Sequence, residues 1–356
     1  MEIQCKNIIG KQVVNNMNES YNFELNSSFG KPEIEGRIKV SPEDFQVTES
    51  LSFTPSGNGD HVYLFVQKTD SNTDWVAGQL ADLAGLKPVD IGYAGLKDRH
   101  AITRQWFSLH MPNQPEPDWG QLPPEIQVLE KTRHNKKLKT GAIENNAFEI
   151  RVRELSGDAS KLEQKLSTIK TRGFPNFFGP QRFGNQGANI YKLAGMAKGR
   201  RRMSRSQRSM YVSAGRSYLF NQVLKERISQ DNWHQAIEGD VMALAGSRSI
   251  FIPEAIDEEI KSRIEAHDIH PAAMLWGKGD VKTSLVAGTI EENVIESYPS
   301  ITNALSKAGV EMGYRAMRVS VPDLYWENQN HELLLRFTLP SGSYATSLMN
   351  EFVSIV

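Results

Sequence analysis

The spacing of apolar positions changes character along this chain. Strand-like alternation dominates residues 34–172, helical spacing takes over in residues 173–318, and alternation returns toward the C-terminus. In EGRIKVSPEDFQVTE the alternation runs through Ile38 and Val40, breaks at Pro42 and resumes at Phe45 and Val47, which predicts a strand, a turn and a second strand. After the turn SGNGD, the stretch HVYLFVQK sets Val62, Leu64 and Val66 on one face of another strand. Asn72 or Thr73 then caps a helix whose Val76, Leu80, Leu83 and Ala84 recur at helical spacing, with Gly85 closing it. QWFSL, residues 105–109, reads as a half-buried strand. Beyond a Pro-rich connector, Phe148, Ile150 and Val152 alternate again, and Asp158 stands where it can cap a helix reaching about Arg172.

The next stretch, NFFGPQRFGNQG, packs three Phe and three Gly into a short loop, the composition of a compact hinge or of a platform that another chain approaches. One amphipathic helix follows through Leu219, Val223, Leu224 and Ile228, and an acidic one near residues 256–264. MRVSV and HELLLRFTL restore strand character, with Leu333, Leu335, Phe337 and Leu339 sharing a face; the tail PSGSYATSLMNEFVSI is a turn and a helix. The expected architecture is α+β, a mostly antiparallel sheet built from both ends of the chain with an α-rich insertion. Residues 1–33 are polar and poorly periodic, so they read as a loosely attached extension without chemistry.

Composition narrows the class. A chain of 356 residues with 39% hydrophobic and 23% charged positions suits a soluble two-domain protein and excludes disordered and collagen-like classes. The lone Cys5 excludes an internal disulfide framework and Cys-based zinc or iron–sulfur sites, and fits a reducing, cytoplasmic setting. No apolar run is long enough for a membrane span, and MEIQCKNIIG is not a secretory leader. A net charge of −1 argues against a uniformly basic nucleic-acid binder, yet residues 131–139 (KTRHNKKLK) and 198–208 (KGRRRMSRSQR) are strongly cationic. These are either local phosphate-binding surfaces or solvated loops.

Candidate chemistry centres on GYAGLKDRHAITRQW, residues 92–106, which sets Asp98 among Lys97, Arg99 and His100. Gly92 and Gly95 permit a tight turn or the close approach of another backbone. A mixed-charge run is ordinarily a solvated loop, but flanking strands supply a rigid frame that can hold one carboxylate in place. Asp98 is therefore the first candidate catalyst. No GxxxxGK[ST], no GxGxxG after a strand, no HxE with PCxxC and no GxSxG occur, which removes support from nucleotide hydrolysis, dinucleotide redox, zinc deamination and serine hydrolysis. His267 and His270 in HDIHP have a spacing that could bind metal, but Pro271 favours a turn, and no metal site is predicted.

Six stretches, KVSPEDFQVTE, GYAGLKDRHAITRQW, RHNKKLKTGAIENNAFEIRVRE, GFPNFFGPQRFG, FNQVL and LPSGSYATSLMNE, together resemble the TruD family of tRNA pseudouridine synthases. They follow the family's order and cover nearly the whole chain from Ile34 onward. The resemblance implies a pseudouridine-synthase fold, with a mixed, mainly antiparallel sheet split by a catalytic cleft. It assigns residues 34–172 and 319–356 to the catalytic domain and residues 173–318 to an inserted α-rich α/β TRUD domain. The implied reaction isomerises a uridine of tRNA, by family expectation uridine-13 in the D-arm region. The motif maps the catalytic aspartate to Asp98 and the uridine pocket to Phe45, Asn146, Phe148 and Tyr344, the last standing where the family often has Phe. Lys39 would be a basic neighbour of Asp98, and Lys97 is a second candidate for that charge.

Pseudouridine formation breaks the bond from ribose C1′ to uracil N1, turns the base and joins its C5 to C1′. Without a redox or phosphoryl step it needs no cofactor and no metal. Asp98 can attack C1′, attack C6 of the base, or remove a sugar proton, and the residues leave that choice open. The implied partner is tRNA, with no membrane; the oligomeric state stays open, a monomer being compatible. Extruding the target uridine costs a few kcal/mol, which aromatic stacking worth about 1–3 kcal/mol per base can offset. Two other readings of the same residues are a non-catalytic tRNA-binding protein and a carboxylate-based glycoside hydrolase.

Overall fold

A computed structural model describes residues 20–196 and 203–356. The alternating segments form strands β1 (Glu35–Arg37), β2 (Phe45–Leu51) and β3 (His61–Thr69), helix α1 (Thr73–Leu83), then β4 (Ile91–Tyr93), β5 (Ile102–His110), β6 (Ile126–His134), β7 (Ile143–Ser156) and α2 (Ala159–Arg172). The chain continues through β8 (Phe174–Pro175), α3 (Ala188–Met196), α4 (Arg205–Ser229), β9 (Val241–Leu244), β10 (Ile250–Phe251), α5 (Glu258–Glu265) and β11 (Ile269–Leu275). It ends with α6 (Leu285–Ser297), α7 (Pro299–Ala308), β12 (Gly313–Ala316), β13 (Arg318–Val319), β14 (Tyr325–Gln329), β15 (Glu332–Pro340), α8 (Ala345–Met349) and β16 (Ser354–Ile355).

Local signals set the ends of these elements. Asn72 is the N-cap of α1. At its C-terminus Gly85, at φ 64°, takes the left-handed position that lets Leu86 N–H donate to Ala81 O at 2.8 Å. Asp158 caps α2 by accepting from Ser160 N–H.

Among the described residues one sheet runs in the order β14-β15-β7-β2-β5-β3-β6, with β4 against β5, and β1 between β7 and β16. Its pairs are antiparallel except β2 with β5 and β1 with β16. The expected mixed, mainly antiparallel sheet is present. One face carries two apolar halves. Val62, Leu64, Val66, Phe107 and Leu109 pack under Val76 and Leu80 of α1, while Val47, Ile150, Leu333 and Leu335 pack under α2 and α8. Each such side chain contributes about 1.5–3 kcal/mol by burial. Between the halves the same face turns polar, with Glu49, Lys68, Thr103 and Gln105 all buried.

The chain leaves this sheet at β8 and returns at β13, and the two pair with each other, Phe174 opposite Val319. Phe174 and Val319 belong to the core of the main sheet, whereas Phe177 and Met317 belong to a second core built on α3, α4 and α7. A four-stranded antiparallel sheet, β10-β9-β11-β12, completes this α-rich unit.

Three expectations are corrected. Residues 20–33 are not a loose extension; residues 1–19 lie outside the described residues. Tyr21 packs edge-on against Tyr191 and Tyr218 at 5.1 and 5.5 Å, Phe23 meets Phe183 at 5.3 Å, and Ser27 and Ser28 donate to the buried Glu351. The short alternation Tyr21, Phe23, Leu25 is what ties this segment down. Residues 105–109 are buried throughout rather than on one face, because Leu138 and Ile143 cover the side of β5 that carries Trp106. His270 and Pro271 lie inside β11, not in a turn. The Pro271 carbonyl accepts from Met317, and the N–H it lacks would point the same way, where pairing with β12 ends.

Candidate active site

The site forms where the sheet comes apart. β2 and β5 pair only from Gln46 opposite Ile102 to Thr48 opposite Arg104. One residue further the Glu49 side chain enters the gap: Oε1 accepts from the backbone N–H of Trp106 at 2.9 Å, and Oε2 meets Lys97 Nζ at 2.5 Å. Both side chains are buried, at 0% and 7% exposure. A buried ion pair of this kind is a fixture, because removing one partner strands the other charge at a cost of about 3–5 kcal/mol.

Lys97 lies in the loop between β4 and β5, and the loop is tied at every turn. Gln105 Nε2 donates to Gly95 O at 3.2 Å, and Lys97 N–H donates to Thr73 Oγ1 at 3.0 Å. Lys68, fully buried, donates through Nζ to Asp98 O and Ser71 O, both at 2.7 Å. Burial pulls the Lys68 ammonium down to about 8, and the Asp98 carboxylate is the leading influence against that fall. Behind the loop, Leu138 O packs so closely on Gly92 that a Cβ there would collide with it. The basic loop after β6 is thus laced to the Asp98 segment, with Gly141 N–H donating to Ala94 O.

Held from behind, Asp98 presents its carboxylate outward with 53% of the side chain exposed, and Oδ1 meets Lys39 Nζ at 3.1 Å. Lys39 sits at φ 58°, a left-handed conformation that costs a non-glycine residue about 1–3 kcal/mol. Its ammonium lies 4.3 Å from the centroid of the Phe45 ring. The turn that joins Lys39 to Phe45 is pinned by the buried Asp44, which accepts from Ser41 N–H and from Arg153. Burial opposes the Asp44 charge, but Arg153 and Ser41 outweigh it and hold the carboxyl below its usual range.

The expected site residues fall into three groups. Asp98, Lys39, Phe45 and Phe148 are linked by contact: Phe45 meets Phe148 edge-on at 6.2 Å, and Phe148 stacks on Phe337 at 5.2 Å. Asn146 lies opposite Glu49 across the β2–β7 pair, two residues before Phe148 and on the same face. Lys97 is turned away from Asp98 into Glu49, so of the two candidate cations it is Lys39 that pairs with Asp98. Tyr344, at the N-cap of α8, packs edge-on against Phe178 at 6.1 Å, on the side of the α-rich unit. A cavity of about 910 Å³ has Phe45, Gln181, Ala345 and Thr346 in its walls together with Phe23, Leu25 and Ser27 of the N-terminal segment; Asp98 and Tyr344 do not line it.

The two cationic segments behave differently from each other. Lys131 and Arg133 pair with Glu116, whereas Lys136 and Lys139 are exposed. Residues 198–202 lie outside the described residues; Arg205 and Arg208 follow on the first turns of α4. His267 bonds Ser320 and His270 accepts from Arg318, and among the described residues no group of three or more His, Cys, Asp or Glu is placed to hold a metal ion. No helix among those residues is long and apolar enough to cross a membrane.

The model of the family described as "tRNA pseudouridine synthase D (TruD)" matches residues 27–196 and 189–352. A tRNA pseudouridine synthase D of Methylococcus capsulatus is 45% identical over 333 residues, covering 93% of this chain and 94% of its own length. The chain belongs to the tRNA pseudouridine synthase D family. A second member, from Hydrogenovibrio crunogenus, is 40% identical over 331 residues and covers 92% of this chain and 95% of its own. A solved structure from Methanosarcina mazei, titled as a candidate tRNA pseudouridine synthase D, has the same fold at a TM-score of 0.70 and 20% identity, covering 92% of this chain and 96% of that one.

Two residues of this member of the tRNA pseudouridine synthase D family escaped sequence reasoning, Glu49 and Lys68. Their signal was present in the strand period. Glu49 falls in phase with Phe45 and Val47, and Lys68 in phase with Val62, Leu64 and Val66, so each is a charge on the apolar side of its strand. A charge in that phase is either paired or at a site.

Proposed function

We infer that this protein isomerises a uridine of tRNA to pseudouridine, the activity named for its relatives, with Asp98 as the catalytic carboxylate. The observation that carries this reading is the Asp98–Lys39 pair at 3.1 Å, set beside Phe45 at the point where β2 and β5 part. Lys39 supports the ionised carboxylate without enclosing it. The flipped uridine enters beside it, Phe45 and Phe148 supply the apolar and aromatic wall, and Tyr344 closes the far side. Asn146 has both amide donor and acceptor to offer an edge of uracil. Residues 34–172 and 319–356 act as the catalytic body, and residues 173–318 close on the tRNA from across the β8–β13 pair. Exposed Lys136, Lys139 and Arg99 track phosphates beside the Asp98 loop. The target is the D-arm uridine, uridine-13.

Tritium release from tRNA labelled at uracil C5 tests the reaction, because isomerisation exchanges that hydrogen for a carbon bond. Release from D-arm uridine is expected. A protein that binds tRNA and releases none from any tRNA is the non-catalytic alternative.

A further inference from the structure

A second charged cluster lies on the insertion side of the cleft, and the chemistry above makes no use of it. Its centre is one ring, Phe178. Arg315 of β12 places its guanidinium carbon 4.0 Å from the ring centroid, and Arg182 places its own at 5.7 Å. Tyr344, from the tail of the main sheet, meets the same ring.

Neither arginine forms an ion pair with an acidic residue among the described residues. Arg315 spends a single nitrogen, Nη2, on Asn176 Oδ1 at 2.5 Å, Asn176 O at 3.4 Å and Gly342 O at 3.0 Å. Arg182 spends Nη2 on Ser213 Oγ at 2.6 Å. The Nε of each is shut off from solvent and donates to nothing. Burial lowers Arg315 to about 10, Tyr344 acts against that fall, and Arg182 adds to it by repulsion. Both groups are cations at neutral pH.

Arg227 and Arg318 are finished, whereas Arg216 resembles the pair at Phe178 in keeping an Nε that donates to nothing, with Nη2 on Leu275 O and Glu311 O, but among the described residues it stands without a second arginine on a shared ring. Arg227 is bidentate on Asp240 at 2.7 and 3.0 Å, and Arg318 donates through both Nε and Nη2 to His270, Ile264 O and Ile269 O. At Phe178, two like charges share a ring with unused N–H groups. An anion between the two guanidinium groups would offset their mutual repulsion and take up hydrogen-bond donors that the protein leaves unused.

We propose that Arg182 and Arg315 hold a phosphodiester of the RNA substrate, adjacent to the nucleotide whose base enters between Phe45 and Tyr344. The non-bridging oxygens of a phosphodiester match the guanidinium fork, and RNA offers one such group per nucleotide. The site ties the insertion, through the loop 176–183, to the position of the target base. It rests on the function inferred above.

Binding of an RNA that carries the target uridine, read apart from turnover, tests the proposal. Single methylphosphonates are placed in turn around the uridine, removing one charge each. For the unsubstituted protein one position is expected to weaken binding roughly tenfold, and Arg182→Gln or Arg315→Gln to weaken the unmodified RNA by a similar factor. At that one position the two losses do not add, because the same contact is removed twice. Arg182→Lys is expected to restore part of the affinity, and each Gln variant to flatten the dependence of log affinity on log salt by about 0.7–0.9. Thermal melting identifies which variants are folded; Arg182, with fewer internal bonds than Arg315, is the less intrusive change. Folded variants with normal affinity and salt slope overturn the proposal, as do methylphosphonate losses that add in full at every position. Wild-type protein that binds the RNA but releases no C5 tritium counts against the inferred reaction and leaves the binding result to be read on its own.

Discussion

Lys97 and Arg315 are both drawn into the protein beside the cleft, but Lys97 meets the Glu49 carboxylate at 2.5 Å whereas Arg315 meets only amide and carbonyl oxygens. The same contrast extends to their surroundings. Around Asp98 each hidden charge is answered by another group of the protein: Glu49 by Lys97 and Trp106 N–H, and Lys68 by two carbonyls, while Asp98 itself is paired with Lys39. Around Phe178 two guanidinium groups lie on one ring with no carboxylate partner among the described residues, and each keeps an Nε that donates to nothing. Paired charges of this kind hold their geometry before substrate arrives, which is what a carboxylate needs to stabilise or form a bond at a fixed place, although the buried Thr103 Oγ1 of the same stretch has no partner. An unanswered cluster takes its final geometry from the ligand. On the function and the phosphodiester site proposed above, the cleft has a preorganised wall and a receptive wall.

The largest effect expected from breaking this contrast comes at Glu49. Glu49→Ala leaves Lys97 buried without a partner and should cost about 3–5 kcal/mol in denaturant unfolding. Glu49→Leu combined with Lys97→Met should recover much of that stability without recovering tritium release, since the strand gap would be filled but the Asp98 loop no longer anchored. Full activity in a stable double variant would show that the pair is not needed to place Asp98.

Lys68→Met comes next. It removes the donor to Asp98 O and is expected to lower kcat about tenfold, the scale of one buried charge-assisted hydrogen bond. Lys68 in the folded protein loses its proton near pH 8, below the ordinary lysine value of 10.5. The wild-type rate should fall as pH rises through about 8, when the cation behind Asp98 is lost, and this limb should be absent in the variant. Stability moves the other way. The folded state holds this proton less tightly than the unfolded chain, so the burial of Lys68 costs stability below pH 8 and the cost fades between 8 and 10.5.

The smallest effect is expected at Glu351, which touches neither Asp98 nor the Phe178 cluster and bonds Ser27 and Ser28 instead. Burial pushes this carboxyl up to about 7 from 4.5, against the hydrogen bonds from Ser28 and Ser27. Here the folded state binds the proton more tightly, so stability should decline as pH rises from 4.5 to 7. Glu351→Gln should flatten that decline in thermal melts with little change in tritium release.

Much of the preorganised wall was legible in the sequence. GYAGLKDRH singled out Asp98, which the fold leaves exposed beside Lys39, the Asn72 cap and Gly85 stop placed α1, and Leu333, Leu335, Phe337 and Leu339 marked a buried face of β15. The anchors were less visible, because Glu49 and Lys68 are meaningful only once the phase of a strand is fixed and its second face is known to be covered. Lys97 looked as suitable as Lys39, since adjacency in sequence does not say which side of a loop a charge faces. The receptive wall was harder still. Arg182 and Arg315 are 133 residues apart in the chain, and only the return of β13 to β8 brings their elements together around Phe178. The Tyr21–Phe23–Leu25 alternation was too short to be distinguished from a polar tail without the aromatic cluster it docks into.

In the proposed function Asp98 performs the chemistry on a wall that is already in place. Asp98→Asn, nearly isosteric, keeps the loop's backbone contacts with Lys68 and Thr73 while removing the carboxylate charge. Measured side by side on C5-tritiated tRNA, tritium release should vanish while tRNA affinity stays within about twofold of the unsubstituted protein, a difference under about 0.5 kcal/mol. Continued release at a comparable rate by a folded Asp98→Asn protein would contradict the account.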